Sequence, residues 1–143
     1  AIEGLKCETA VHICYGYGIK ANTDWKQTLG TEWRQYEEVF PKLQQSNIDI
    51  ISLECHNSRV PIELLELIHG KKVMVGAIDV ATNEIETPEE VANTLREALK
   101  YVDADKLYPC TNCGMAPLSR EVSTAKLNAL SAGAEIVRRE LVG

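Results

Sequence analysis

What this 143-residue chain lacks narrows its reading first. No apolar run approaches the ~20 residues that a membrane-spanning helix needs, so no membrane partner is expected. Lysine and arginine are scattered singly and the formal charge is -6, which argues against a nucleic-acid partner. The N-terminus has no signal-peptide pattern, and a cytoplasmic setting is expected from that. The five cysteines are then read as ligands or reactive thiols and not as disulfides. Hairpin turn signals between extended runs are also missing, which removes antiparallel architectures.

What is present fits one globular unit over residues 1–143, with 45% hydrophobic residues. Ala1 to Glu8 reads as the tail of an earlier element. Ala10 to Gly16 reads as a strand, and the glycine-bounded stretch from Gly16 to Gly30, holding Trp25, as a long binding loop or lid. A helix is predicted to open at Thr31, capped by its hydroxyl, with Trp33, Tyr36, Val39, Phe40 and Leu43 as its inner stripe. Next come a strand over 48–54 and a short helix from Pro61 to Ile68. The continuous apolar run Val73–Ile78 has the pattern of a strand buried on both faces. Thr87-Pro88-Glu89-Glu90 starts a helix with a capping box. Leu107 to Asn112 is the fourth strand, and Ser119 to Leu141 the last helix, with Leu127, Leu130, Ala134, Val137 and Leu141 on one side.

Strand and helix thus alternate four times, which implies an α/β fold with a parallel sheet. On an extended chain His12 and Cys14 share a face, and together they are either half a zinc site or a buried histidine beside a buried thiol. Two further extended runs end in zinc-ligand chemistry, at Glu54 and in Cys110-Thr111-Asn112-Cys113. Candidates on strands one, two and four must converge. In a closed barrel the carboxyl ends of the strands face one axis, whereas the first and fourth strands of an open sheet need not meet. The chain is therefore read as the second half of a (β/α)8 TIM barrel, four parallel strand-helix units, with the remaining strands expected upstream of residue 1.

With these elements placed, Val-His-Ile-Cys-Tyr at 11–15, Ile-Ser-Leu-Glu at 51–54 and Asn-Cys-Gly at 112–114 resemble the C-terminal part of the catalytic barrel of the cobalamin-independent methionine synthase family. The resemblance runs from about Val11 to the last helix. It implies that His12, Cys14, Glu54 and Cys113 hold a catalytic Zn2+. It also implies transfer of a methyl group to a thiol, homocysteine, to give methionine, with either a folate or a methylcorrinoid as donor. Two thiolates and a carboxylate would leave the site with excess negative charge, which keeps a substrate sulfur electron-rich. Glu54, the hardest ligand, would be the exchangeable one.

Other residues are read more plainly. Cys110 with Cys113 makes a C-x-x-C, a redox or zinc-ribbon pattern, but no second such pair exists. Cys7 and Cys55 are read as structural, and His56 and His69 as solvated. Asp79, closing the third strand at the site face, is read as a substrate contact. The family's long folate-using members follow this strand with Asp-Ile-His-Ser-Pro, whose histidine is the proposed proton donor. Here Asp79-Val80-Ala81-Thr82-Asn83 stands instead, and Ala81 has no proton to give. The alternatives are a related zinc-dependent transferase of the coenzyme M type, or a zinc-binding module without turnover.

Overall fold

The runs rich in β-branched residues become one parallel sheet in the computed structural model, which describes residues 2–143. Its strands are β1 (Ala10–Ile13), β2 (Ile50–Glu54), β3 (Lys72–Ile78) and β4 (Leu107–Thr111), lying side by side in sequence order. The register sets His12 beside Ser52, Ser52 beside Met74, and Glu54 beside Gly76. Parallel neighbours need crossovers. These are made by helices α1 (Lys20–Lys26) and α2 (Tyr36–Gln44), a 3-10 helix (Ile62–Leu67) and helix α3 (Pro88–Ala98), and helix α4 (Arg120–Val142) follows the last strand.

The two faces of the sheet differ. Ile51, Leu53, Val73, Val75 and Ala77 are at most 1% exposed and share one core with Phe40, Leu65, Val91 and Leu95 from the helical layer. Each large side chain buried there contributes about 1.5–3 kcal/mol. On the other face, His12, Ser52, Met74 and Cys110 border an open hollow of about 320 Å³. The outer edges of β1 and β4 have no strand partner within the described residues. A sheet with one naked face and two free edges is what half of a closed barrel presents.

The capping box at Thr87 forms as predicted, and Ser119 caps α4 by accepting from the Val122 N–H. Four local expectations are corrected. Helix α2 begins at Tyr36 and not Thr31, because the Trp33 N–H is drawn 2.8 Å to the Arg59 carbonyl, which holds the preceding residues in a turn. Val39 lies outside its inner stripe, 38% exposed. The stretch from Gly16 to Gly30 contains α1 and a 3-10 turn (Gln27–Leu29). In α4 the buried line is Lys126, Ala129, Gly133 and Val137, while Leu127 and Leu141 are about half exposed. That helix is rotated because Gly133 rides on Val91: a Cβ there would stand 2.5 Å from the Val91 side chain.

Candidate metal centre

Residue 76 organises the end of the sheet where the candidate ligands lie. A Cβ on Gly76 would stand 2.5 Å from Asn112 Oδ1 and 2.8 Å from the Leu53 carbonyl. Glycine lets the chain after β4 cross that point, and the β3–β4 register slips between Gly76 and Ile78. Asn112 then ties three elements together. Its N–H donates to the Ile78 carbonyl at 2.9 Å, its Oδ1 accepts from the Cys55 N–H at 3.1 Å, and its Nδ2 donates to the His56 carbonyl at 2.7 Å. The last bond needs an amide, since a carboxylate has no hydrogen to give. Fully buried, Asn112 fixes where Cys113 emerges relative to β2. In the sequence Asn112 stands out only as part of Asn-Cys-Gly and Gly76 not at all, although a glycine inside an unbroken apolar strand is a signal of close backbone approach.

Cys113 is thereby set against the end of β1, its Sγ 3.5 Å from Cys14 Sγ. A His12 ring nitrogen, Cys14 Sγ and Cys113 Sγ all lie within 4.8 Å of one another. Among the described residues this is the one such group of three or more His, Cys, Asp or Glu side chains. Burial, opposed by the Gly16 backbone and reinforced by Cys113 and Glu54, pushes the Cys14 thiol up to about 11. Left to itself it stays protonated at neutral pH.

Glu54 sits next to this trio without joining it. Its Oε1 accepts from the Tyr15 N–H at 2.7 Å and its Oε2 from the Tyr17 hydroxyl. Burial, and then this bond, raise the Tyr17 phenol well above its ordinary range. The carboxylate is 1% exposed, and neither hydrogen-bond partner carries positive charge. Glu54 is close enough to Cys14 to help raise its thiol, and a carboxylate without a cationic partner adds an O donor to the S and N atoms of the trio, a mixture that suits zinc.

The remaining candidates separate from this group. Cys110 Sγ lies 3.9 Å from Ser52 Oγ, not paired with Cys113, and burial pushes its thiol up to about 11. His56 points its ring to Thr94 Oγ1 on α3, 3.1 Å away. Asp79 is half-buried at the end of β3, with Oδ1 accepting from the Ala81 N–H at 2.8 Å. Its own N–H donates to Glu86, which forms a buried ion pair with Lys126. Lys126 is fully buried and was not singled out in the sequence, where a lysine on an amphipathic helix reads as solvated.

The same arrangement of strands and helices recurs in a known protein, and the sequence matches a family model and curated relatives. Residues 19–135 match the family model described as the cobalamin-independent synthase catalytic domain. A methionine synthase of Saccharolobus islandicus is 33% identical over 144 residues, covering 99% of this chain and 38% of that protein. One from Sulfurisphaera tokodaii is 32% identical, covering 99% and 36%. The structure of a B12-independent methionine synthase from Shewanella sp. W3-18-1, in complex with selenomethionine, matches with a TM-score of 0.94 at 86% identity, over 99% of this chain and 41% of that one. The chain thus spans about two fifths of the length of these relatives. With its four parallel strand-helix units forming the latter half of a (β/α)8 barrel, the chain belongs to the cobalamin-independent synthase catalytic-domain family.

Proposed function

We propose that this chain is the C-terminal half of the catalytic barrel of a zinc-dependent methyltransferase that methylates homocysteine to methionine, with the remaining strands upstream of residue 1. The observation that carries this is the convergence of His12, Cys14 and Cys113 beside the cation-free carboxylate of Glu54. The 86% identity to a methionine synthase supports it, as does that protein's complex with selenomethionine, an analogue of the product. Among the described residues no helix is long and apolar enough to cross a membrane, and a cytoplasmic setting is part of this proposal.

His12, Cys14, Cys113 and Glu54 would hold the metal. When bound, zinc supplies the positive charge that keeps coordinated thiols deprotonated and makes a thiol substrate a nucleophile at neutral pH. The chain's own residues do the rest. Tyr15 and Tyr17 hold the Glu54 carboxylate, and the Asn112 tie keeps β2 and β4 at a fixed separation. Asp79, close enough to Tyr17 to help raise its phenol, would offer its second carboxylate oxygen to the substrate.

The donor is read from Ala81. Cleaving a methyl group from a tertiary amine leaves an anion that needs a proton, and such acid assistance is worth about 10² to 10⁴ in rate. Ala81 supplies none, and the ring of His56 is tied to α3. When a methylcorrinoid gives its methyl group to the thiol, the reduced corrinoid keeps the bonding electrons and leaves without a proton, so Ala81 favours such a donor. The descriptions of the matched family and of the 86%-identical relative, cobalamin-independent and B12-independent, speak against a corrinoid. The test is methionine formation by the full-length protein from homocysteine with methyltetrahydrofolate or with methylcobalamin. Turnover with the corrinoid supports the Ala81 argument. Efficient turnover with the folate, unchanged in His56→Ala, overturns it, and no methionine from either donor overturns the proposed activity.

A further inference from the structure

Behind the metal-facing trio lies a line of groups that the proposed activity does not use. Ser52, on the second strand and 7% exposed, has its Oγ 2.9 Å from His12 Nδ1 and 3.9 Å from Cys110 Sγ. A serine hydroxyl has one hydrogen to give and two lone pairs to accept with, so the direction of the line is restricted. If the Ser52 hydrogen points to the Cys110 sulfur, His12 Nδ1 must be the donor to Ser52 Oγ. Nε2 is then left with its lone pair, the form of imidazole that binds a metal. In the opposite direction the line would start from a thiol S–H, the weakest donor of the three, and would put the ring proton on Nε2. The first direction uses the stronger N–H donor at a distance normal for N–H···O bonds.

We infer that Ser52, backed by Cys110, is a positioning residue that fixes the tautomer and ring orientation of His12 so that Nε2 is presented to a metal. The inference rests on the metal reading given above. It also gives Cys110 a place: the first cysteine of the C-x-x-C supports the hydroxyl that supports the ligand. Partners of this kind orient ligating histidines and raise their basicity, and removing one typically costs about 10- to 100-fold in metal affinity.

The test is zinc affinity of the full-length protein, measured by competition with a chelator, together with nitrogen NMR of the histidine ring. Ser52→Ala is expected to bind one zinc about 10- to 100-fold more weakly, and Ser52→Thr, which keeps the hydroxyl, to recover most of the loss. Cys110→Ala should weaken binding less than Ser52→Ala. The Nδ1–H signal of His12 should be present in the parent protein and shifted or lost in Ser52→Ala, a change that a purely structural role would not produce. Unchanged affinity and an unchanged ring signal in Ser52→Ala overturn the inference while leaving the metal reading in place. A parent protein that takes up no zinc, or a Cys14→Ser variant that binds it equally well, overturns the metal reading itself.

Discussion

Two buried carboxylates at the same end of the sheet are satisfied in opposite ways. Glu86 receives Lys126 Nζ on both oxygens, at 2.9 and 3.0 Å, and one of these also accepts from the Asp79 N–H. Its charge is matched within the protein and the cluster is closed. Glu54 is buried more completely, yet its partners are a backbone N–H and a phenol, with thiols and an imidazole nearby. Burying a charge without a counter-charge is expensive. The first cluster is therefore part of the scaffold, whereas the second lacks a cation of its own, as the proposed metal site requires.

The sharpest break of this comparison is to remove a thiol. Cys14→Ser and Cys113→Ser should each abolish zinc retention in the full-length protein, while Cys55→Ser and Cys110→Ser keep it, as read by metal content after gel filtration. Zinc retained in Cys113→Ser but lost in Cys110→Ser would reverse the assignment of the last ligand. Next in size is the Glu86 cluster. Lys126→Met leaves a buried carboxylate without its cation and should cost about 3–5 kcal/mol, and adding Glu86→Leu should restore most of it. Glu54→Gln, made in metal-free protein, should cost little or stabilise, because it removes a buried charge that nothing in the chain matches. Denaturant midpoints of these variants measure the contrast directly. Equal costs for Lys126→Met and metal-free Glu54→Gln would erase it.

A smaller effect is expected at residue 76. Gly76→Ala forces Asn112 to shift and should destabilise by about 1–3 kcal/mol, with weaker zinc binding because Cys113 moves with its neighbour. The smallest effect is a pH dependence. Burial pushes the thiols of Cys55 and Cys110 above their ordinary 9.0, up to about 12 and about 11. The folded state therefore holds protons that the unfolded state has already lost. The stability these thiols contribute is complete below pH 9 and is lost as pH rises through 11 to 12. Alanine at both positions should flatten the fall in denaturant midpoint over that window.

Several of these features were legible in the sequence because local pattern and tertiary role agree. The apolar run ending at Ile78 is a strand, buried through Val73, Val75 and Ala77 on the core face although Met74 borders the open one, and Thr87 with Glu90 forms its box regardless of what packs nearby. His12 and Cys14 share a face because strand alternation leaves no choice. The rest was decided by contacts distant in sequence. Trp33 is drawn to the Arg59 carbonyl 26 residues on, so helix α2 starts late. The face of α4 is chosen by a glycine against Val91 and by a lysine whose carboxylate partner lies 40 residues earlier. Gly76 and Asn112 gain their meaning only when the strands are side by side.

Two thiols, an imidazole and the carboxylate of Glu54 are proposed to hold one metal ion. X-ray absorption at the zinc edge of the full-length protein loaded with one zinc tests it most directly, because it counts sulfur against lighter ligand atoms. Two sulfur and two nitrogen or oxygen neighbours are predicted, with one of the lighter atoms changed in Glu54→Gln and one lost in His12→Ala. Three or more sulfur neighbours, which would bring Cys110 or Cys55 into the site, or a spectrum indifferent to both substitutions, would contradict the account.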